Sequence, residues 1–324
     1  MRFLVTGTAG FIGFHLAQRL LAHGHTVAGI DGITPYYDQT LKRRRHELLM
    51  RFPQFDAREL MLEDVGQLAQ TVSEAAADVV IHLAAQAGVR YSIENPRSYI
   101  DSNIVGTFNL LEAIRARPCQ HLVLASTSSV YGLNQQQPFE ESHRTDEPVS
   151  LYAATKKAIE AIAYSYAHLF GSPTTIARLF TVYGPWGRPD MALFKFTKSI
   201  IEGTPIDVYG AGKMTRDFTY VDDVVEALSR LAQRAPAADQ GKPPYRVVNV
   251  GCGRPVGLKD FIETIESAVG RKADRHYQPM QSGDVPATWA STDLLENLTG
   301  FRPATPLAQG VGAFVAWYRD YYRV

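Results

Sequence analysis

Phe3-Leu4-Val5-Thr6-Gly7-Thr8-Ala9-Gly10-Phe11-Ile12-Gly13-Phe14 stands almost at the start of the chain, and its order decides the fold. A short apolar run, Phe3–Thr6, has the length and residue types of a buried strand. Glycine then recurs at every third position, and Phe14–His23 carries apolar residues at helical spacing. Strand, glycine turn and helix follow one another without a linker. Glycine permits the tight turn and lets the backbone approach a pyrophosphate, whose charge the helix N-terminus stabilises. The spacing is G-x-x-G-x-x-G, so the dinucleotide fingerprint G-x-G-x-x-G is met only loosely, and a glycine-rich turn without a ligand is the plain alternative. Asp31 decides between them. It ends the second strand, eighteen residues after Gly13. A carboxylate there accepts hydrogen bonds from an adenosine ribose and repels a 2′-phosphate, which favours NAD over NADP.

Outward from that stretch the pattern repeats. Val27–Ile30, Val79–Leu83, Leu122–Ala125 and Thr175–Leu179 read as buried strands, and Tyr99–Arg115 and Tyr152–Leu169 as helices between them. Alternation of this kind predicts an α/β protein, a Rossmann doubly wound parallel sheet with helices on both faces. After Leu179 the character changes. Pro185, Pro189, Gly203, Pro205, Gly210 and Gly212 punctuate short elements of a smaller, ligand-covering C-terminal region. The division expected is residues 1–177 for the nucleotide-binding domain and 178–324 for the smaller region. Segments near 216–250 are expected to return to the first domain, Arg246–Val250 as a strand. The run Lys42-Arg43-Arg44-Arg45 reads as a solvated helix face.

The bulk numbers exclude several classes. Of 324 residues, 45% are hydrophobic and 20% charged, and Lys+Arg and Asp+Glu both total 33. No global field draws this chain to nucleic acid or to an anionic membrane, so any anionic ligand must meet locally placed Arg or Lys. Two cysteines, Cys119 and Cys252, make no disulfide framework and suit a reducing compartment. The first apolar residues follow an arginine, but three glycines interrupt them and no cleavage site follows, unlike a signal peptide. No apolar run reaches membrane-spanning length. These features predict a cytoplasmic protein. Nine histidines are scattered without metal-ligand spacing, and none is expected to bind a metal.

Tyr152-Ala153-Ala154-Thr155-Lys156 opens a helix, and the i, i+4 spacing sets Tyr152 and Lys156 on one face. A phenol with a pKa near 10 is a poor base at neutral pH. A nearby ammonium and a positive nicotinamide favour its phenolate. Upstream, Ser126-Thr127-Ser128-Ser129-Val130-Tyr131-Gly132 follows strand Leu122–Ala125 directly. A hydroxyl cluster at the C-terminal end of a central strand stands where an open α/β sheet binds its ligand.

Gly7–Gly13, Asp31, Leu83-Ala84-Ala85, Asn103, Ser126–Gly132 and Tyr152–Lys156 together resemble the extended short-chain dehydrogenases that act on nucleotide sugars, over nearly the whole chain. That resemblance implies NAD as cofactor, with Gly7, Gly10, Phe11, Ile12, Gly13, Asp31, Asp64, Val65, Leu83, Ala84, Ala85, Asn103, Tyr152 and Lys156 around it. It implies Tyr152 as the base that takes a sugar hydroxyl proton, Lys156 as anchor of the nicotinamide ribose, and Thr127 as the bridge from the sugar oxygen to Tyr152. It also implies a homodimer paired through Tyr99–Arg115 and Tyr152–Leu169.

Three later segments, Arg178–Ala192, Arg216–Asp223 and Met280–Pro286, resemble UDP-sugar enzymes, the first being similar to UDP-glucuronate 4-epimerases. By that likeness residues 178–324 mainly hold a UDP-sugar, with Arg90, Thr127, Ser128, Ser129, Thr181, Arg188, Arg216 and Asp284 as its ligands. Neutral-sugar epimerases usually carry Asn at the place of Thr181, and Arg at that of Gln281. An ionised carboxylate only accepts hydrogen bonds, and Thr127, Ser128, Ser129 and Thr181 can each donate one. Decarboxylating relatives typically carry Glu at the place of Ser129, and 4,6-dehydratases an acid pair at Ser128 and Ser129. The reading is 4-epimerisation of UDP-glucuronate to UDP-galacturonate through a 4-keto sugar. Its rivals are another UDP-sugar epimerase or a decarboxylase on this scaffold, and a non-catalytic NAD-binding scaffold or sensor.

Overall fold

The computed structural model describes residues 1–324, and its largest layer is a seven-stranded sheet. In chain order the first half runs β1 (Arg2–Thr6), α1 (Phe11–Ala22), β2 (Thr26–Asp31), α2 (Gln39–Leu49), β3 (Phe55–Glu59), α3 (Val65–Ala75) and β4 (Val79–His82). Two short helices follow, α4 (Tyr91–Glu94) and α5 (Pro96–Tyr99), then a π-helical turn (Ile100–Val105) that runs into α6 (Gly106–Ala116). Next come β5 (His121–Thr127), a 3-10 turn (Ser128–Tyr131), α7 (Leu151–Phe170) and β6 (Thr174–Leu179). The second half contains β7 (Thr181–Tyr183), α8 (Ala192–Glu202), β8 (Ile206–Tyr209), β9 (Thr215–Tyr220), α9 (Val221–Ala232) and β10 (Tyr245–Val250). The chain closes with β11 (Pro255–Gly257), α10 (Leu258–Val269), β12 (Arg275–Gln278), α11 (Asp293–Thr299) and α12 (Leu307–Tyr322).

The large sheet has the order β10-β6-β5-β4-β1-β2-β3, with every pair parallel. Val79–His82 and His121–Thr127 are buried along their whole length, as strands covered on both faces must be. The chain leaves β1 toward β2 on one side and later returns to β4 on the other. The crevice at the carboxyl ends of β1 and β4 is therefore the switch point where such sheets bind ligands. Of the stretch 216–250, only β10 joins this sheet, pairing Tyr245–Val250 with Thr174–Leu179. β9 instead pairs with β7 and β11 in a separate three-stranded sheet, and α9 packs on α1. The fold class is as expected, with the return to the large sheet made by β10 and its core covered by α9.

Besides a core that includes Leu4, Ile30, Val80, Leu110 and Leu122, two further ones follow from this path. One joins Phe3, Val5, Phe14 and Leu16 to Val224, Leu228, Val248 and Leu295, elements far apart in sequence. The other, under the small sheets, packs Phe194, Phe218, Phe261 and Phe314, with Phe218 and Phe261 stacked at 4.0 Å between ring centroids. The expected helix over Tyr99–Arg115 is interrupted by the π turn, and β3, an edge strand of sequence FDARE, has only two apolar residues and no fully buried one, too little for a periodicity argument.

Two members of the basic run depart from expectation. Arg43 and Arg44 face solvent and pair with Glu59 and Glu47. Lys42 and Arg45 are buried, Arg45 completely. Three residues apart on α2, they share its inner face. Arg45 donates to the Ala9 carbonyl at 2.7 Å, to the Tyr37 hydroxyl at 2.7 Å and to the Trp186 carbonyl at 2.6 Å. Lys42 donates to the Thr34 carbonyl at 2.8 Å. The solvated face is half of what was expected, because these two cations bind loop carbonyls.

Candidate active site

The glycine turn is as tight as its composition demands. Gly7 has φ +82°, and a Cβ there would stand 2.8 Å from the Ala84 nitrogen. A Cβ on Gly13 would overlap the Gly7 carbonyl oxygen. Side chains at either position would separate the turn from the end of β4. Helix α1 starts immediately afterwards with no side-chain cap at Gly10, so its first N–H groups are free to meet an anion. Asp31 ends β2 beside this turn, its Oδ2 accepting from the Ala9 N–H at 2.9 Å.

A cavity of about 420 Å³ opens over this turn and the ends of the strands. It is bordered by Gly7, Gly10, Phe11, Ile12, Gly13 and Asp31 on one side and by Leu83, Ala84 and Ala85 beyond β4. Thr127, Ser128, Ser129, Tyr152, Lys156, Thr181 and Arg188 complete it. Glycine cradle, uncapped helix and strand-end carboxylate fit a dinucleotide with an adenosine ribose, and the far end leaves the hydroxyl cluster and Tyr152 for a second ligand.

Tyr152 and Lys156 sit in the first turns of α7, whose N-cap Ser150 accepts from the Ala153 N–H. Lys156 is buried and donates to the Ala125 carbonyl at 3.0 Å, tying the helix to β5. Burial pushes the Lys156 ammonium down to about 8, against the opposing pull of Glu160. Burial raises the Tyr152 phenol, while a hydrogen bond to Thr127 and the charge of Arg188 act in the other direction. Behind the pair, Glu160 accepts from Ser126 at 2.6 Å and from Arg178 at 3.0 and 2.8 Å, a buried fork that locks α7 to β5 and β6. Thr127 donates to the Ser129 hydroxyl at 3.2 Å and accepts from the Ser129 N–H at 3.2 Å, so the hydroxyl cluster is partly self-ordered.

Not every residue singled out from the sequence borders the cavity. Asp64 caps α3 by accepting from the Gln67 N–H, and Val65 is exposed; Leu62 and Glu63 border the cavity at that strand end. Asn103, fully buried in the π turn, accepts from the Gln86 N–H at 2.8 Å and donates to the Gln86 carbonyl and to Thr155. It holds the loop after β4 against α7 from behind. Arg90, Asp284 and Arg216 form a group of their own. Arg90 pairs with Asp284 at 3.2 Å and lies over the Tyr209 ring, 4.9 Å from its centroid. Arg216, donating to the Thr215 carbonyl at 2.8 Å, is lowered by burial and feels both Asp284 and Arg90. Val89, on the cavity rim, is the chain neighbour of Arg90.

Residues that the sequence reading left outside the site also line the cavity, among them Lys42, Tyr36 and Tyr37. Their signal was a tyrosine pair followed by a basic run, ambiguous without knowing which helix face is covered.

A parallel sheet with its glycine turn at the switch point, and a Tyr-Lys pair at the far end of the same cavity, define a Rossmann-type dinucleotide enzyme of the short-chain dehydrogenase kind. The chain belongs to the NAD dependent epimerase/dehydratase family, whose pattern matches residues 3–251. It is 56% identical to a probable UDP-glucuronate 4-epimerase of Rhizobium meliloti, over all of this chain and 98% of the relative. Among solved structures it is similar to UDP-glucuronic acid 4-epimerase from Bacillus cereus in complex with UDP-glucuronic acid and NAD, with TM-score 0.92, 32% identity, and coverage of 99% of this chain and 100% of that one. It is also similar to UDP-glucose 4-epimerase from Thermotoga maritima with UDP-glucose, with TM-score 0.88, 28% identity, and coverage of 99% and 100%. The fold is thus shared across different sugars, and the choice of sugar has to be argued from side chains.

Proposed function

We propose that this protein is an NAD-dependent isomerase that converts UDP-glucuronate to UDP-galacturonate by inverting C4. The observation that carries this reading is the meeting of Thr127, Ser128, Ser129, Thr181 and Arg188 with Tyr152 in one cavity. Four hydroxyls and a guanidinium are a donor set for an acceptor-only carboxylate.

NAD, when bound along the glycine turn, supplies a two-electron hydride acceptor and donor at C4. Asp31 would accept from its adenosine ribose, and Gly7–Gly13 and the N-terminus of α1 would hold its pyrophosphate. Thr127 holds the C4 oxygen toward Tyr152. The Tyr152 phenolate removes the C4 hydroxyl proton as the C4–H bond breaks, leaving a 4-keto sugar. The flat ketone turns within the cavity and is reduced on its other face, and Tyr152 returns the proton to the new hydroxyl oxygen. Lys156 stabilises the phenolate throughout by its positive charge. Arg90 and Arg216 meet the diphosphate and Asp284 the uridine ribose, an assignment supported by their grouping beside Val89.

Val105, Phe108 and Tyr164 on the π turn, α6 and α7 are exposed apolar side chains, and we assign them to a homodimer interface. The two free cysteines fit a cytoplasmic location, and no helix is long and apolar enough to cross a membrane. The test of the function is direct. Purified protein is incubated with UDP-glucuronate, and separately with UDP-glucose, without added NAD, and products are separated by chromatography. UDP-galacturonate is the expected product. Conversion of UDP-glucose with UDP-glucuronate untouched would defeat the uronate reading.

A further inference from the structure

Arg188 is gripped from one side. Its Nε donates to Asp190 Oδ1 at 3.0 Å and its Nη2 to Asp190 Oδ2, the two-bond fork that fixes a guanidinium in plane. Asp190 is itself fixed, because its Oδ2 also accepts from the Tyr36 hydroxyl at 3.0 Å. The Tyr36 ring lies beneath the guanidinium, 5.8 Å from ring centroid to Cζ, and packs against Tyr91 at 4.7 Å between centroids. An Arg side chain offers five N–H groups, and the fork uses two. Arg188 borders the cavity beside Tyr152 and Thr181, whereas Asp190 does not.

The segment that carries this pair is seated on the cofactor half of the molecule. His15 bonds the Pro185 carbonyl at 2.9 Å, and Arg45 joins the Trp186 carbonyl to the Ala9 carbonyl of the glycine turn. Trp186 has φ +60°, a left-handed conformation uncommon for a bulky residue, held where these bonds over-determine it. Arg188 is thus located by its backbone and oriented by Asp190. The pairing also tempers its charge. Burial works against the Asp190 carboxylate, yet Arg188 holds it below its ordinary pKa, so both partners stay ionised. A lone guanidinium would attract any anion, while a paired one presents directed N–H groups with little net charge.

We infer that Asp190 is a positioning residue for substrate choice: by holding the Nε–Nη2 edge of Arg188 it aims the remaining N–H groups at the sugar carboxylate, favouring a uronic acid over a neutral hexose. This rests on the uronate reading above. The test uses the enzyme with its NAD, UDP-glucuronate as substrate and UDP-glucose as a competitive inhibitor.

Asp190→Asn keeps the size but loses the charge and sets an amide N–H against a guanidinium N–H. Its kcat/KM for UDP-glucuronate is expected to fall by about tenfold or more, chiefly through KM, the size expected for a misdirected charged hydrogen bond. Inhibition by UDP-glucose stays within about twofold, since the neutral sugar gains little from Arg188. Arg188→Gln sets the reference, and the double variant Asp190→Asn/Arg188→Gln should be no worse than Arg188→Gln alone, because the two residues act as one. Asp190→Glu retains the carboxylate and recovers part of the loss. Should Asp190→Asn fail to fold, Asp190→Glu carries the same comparison, with a raised KM for UDP-glucuronate expected. Losses that multiply, an unchanged KM, or an equal loss of UDP-glucose inhibition overturn the inference. Wild-type enzyme inert toward UDP-glucuronate would defeat the uronate reading as well; wild-type activity with an indifferent Asp190 defeats the inference alone.

Discussion

Asp31 Oδ2 accepts the backbone N–H of Ala9 at 2.9 Å, and its Oδ1 accepts that of Ile33 at 2.8 Å. One carboxylate therefore holds the glycine turn to the end of β2 while facing the cofactor cavity. Its remaining lone pairs are fixed in direction before any ribose arrives.

Asp31→Ala should accordingly do two things. It removes the ribose acceptor and leaves the Ala9 N–H without its partner, for a combined loss of about 1–3 kcal/mol in NAD binding. NADP should improve relative to NAD, because the charge repelling a 2′-phosphate is gone. Equilibrium titration of both cofactors against wild type and variant checks this. Equal wild-type affinity for the two would remove Asp31 from the ribose.

Tyr152→Phe should retain fold and NAD binding while kcat falls by about a hundredfold or more, the usual contribution of a positioned general base. The pH profile tests its partner. Because burial pushes Lys156 down to about 8, this side chain loses its charge at lower pH than an exposed lysine, and the phenolate loses support above that pH. Activity should therefore decline as pH rises through about 8. In Lys156→Arg, whose guanidinium keeps its proton, that alkaline decline should vanish even if the maximum rate is lower. A decline unchanged in Lys156→Arg would assign it to another group.

Three histidines make an acid-stability prediction. Burial pushes His15 and His121 down to about 4 and His82 to about 3. Between about pH 6.5 and 4 the unfolded chain binds protons there that the folded chain does not, so stability rises with pH across this window and is lost as pH falls. Each group contributes on the order of 2–3 kcal/mol by the end of the window. Urea unfolding midpoints measured at pH 7 and pH 5 should differ in that direction. His82→Asn, which keeps a polar group near the hydroxyls of Thr6 and Thr107, should flatten part of the dependence.

Thr181 heads β7 on the cavity wall. Thr181→Ala should lower kcat/KM for UDP-glucuronate by roughly ten- to a hundredfold, the loss of one hydrogen bond to a charged acceptor. Competitive inhibition by UDP-glucose should change far less. Ser129→Glu brings a like charge to the same wall and should depress turnover of the uronate, with UDP-pentose sought by chromatography as a side product. Parallel losses for both sugars would move Thr181 away from the carboxylate.

Phe108 on α6 is 46% exposed beside Val105 at 40%. If this face pairs with a second copy, Phe108→Glu should convert a dimer to a monomer in sedimentation velocity without changing the far-ultraviolet spectrum. A monomeric wild type would refute the interface.

The parts legible in the sequence are those written in backbone constraint or short spacing. Gly7 and Gly13 announce a turn because no other residue fits beside Ala84 and the Gly7 carbonyl. Tyr152 and Lys156 announce a shared helix face because four residues make one turn. What stayed hidden depends on distant partners. Arg45 looked like surface because nothing local reveals that its ligands are the carbonyls of Ala9 and Trp186. The Tyr36–Asp190 bond spans 154 positions, so neither residue points to the other. Helical spacing over Tyr99–Arg115 could not disclose a π turn, because its extra residue shifts the phase of the pattern only once, within too few turns to be read.

The arrangement of β10 has a bearing on how this protein is made. Synthesis proceeds from the N-terminus, and the glycine turn leaves the ribosome well before β10. Yet the outer neighbour of β6 is Tyr245–Val250, and the apolar face of α1 is covered by Val224 and Leu228. A nascent chain stopped near residue 177 would show water an unpaired strand edge and a bare row of phenylalanine and leucine, both invitations to aggregate. Leu295 also belongs to that core, so the nucleotide-binding half matures only after α11 has left the ribosome. Expressed alone, it should be insoluble, and a separately supplied C-terminal fragment should rescue it.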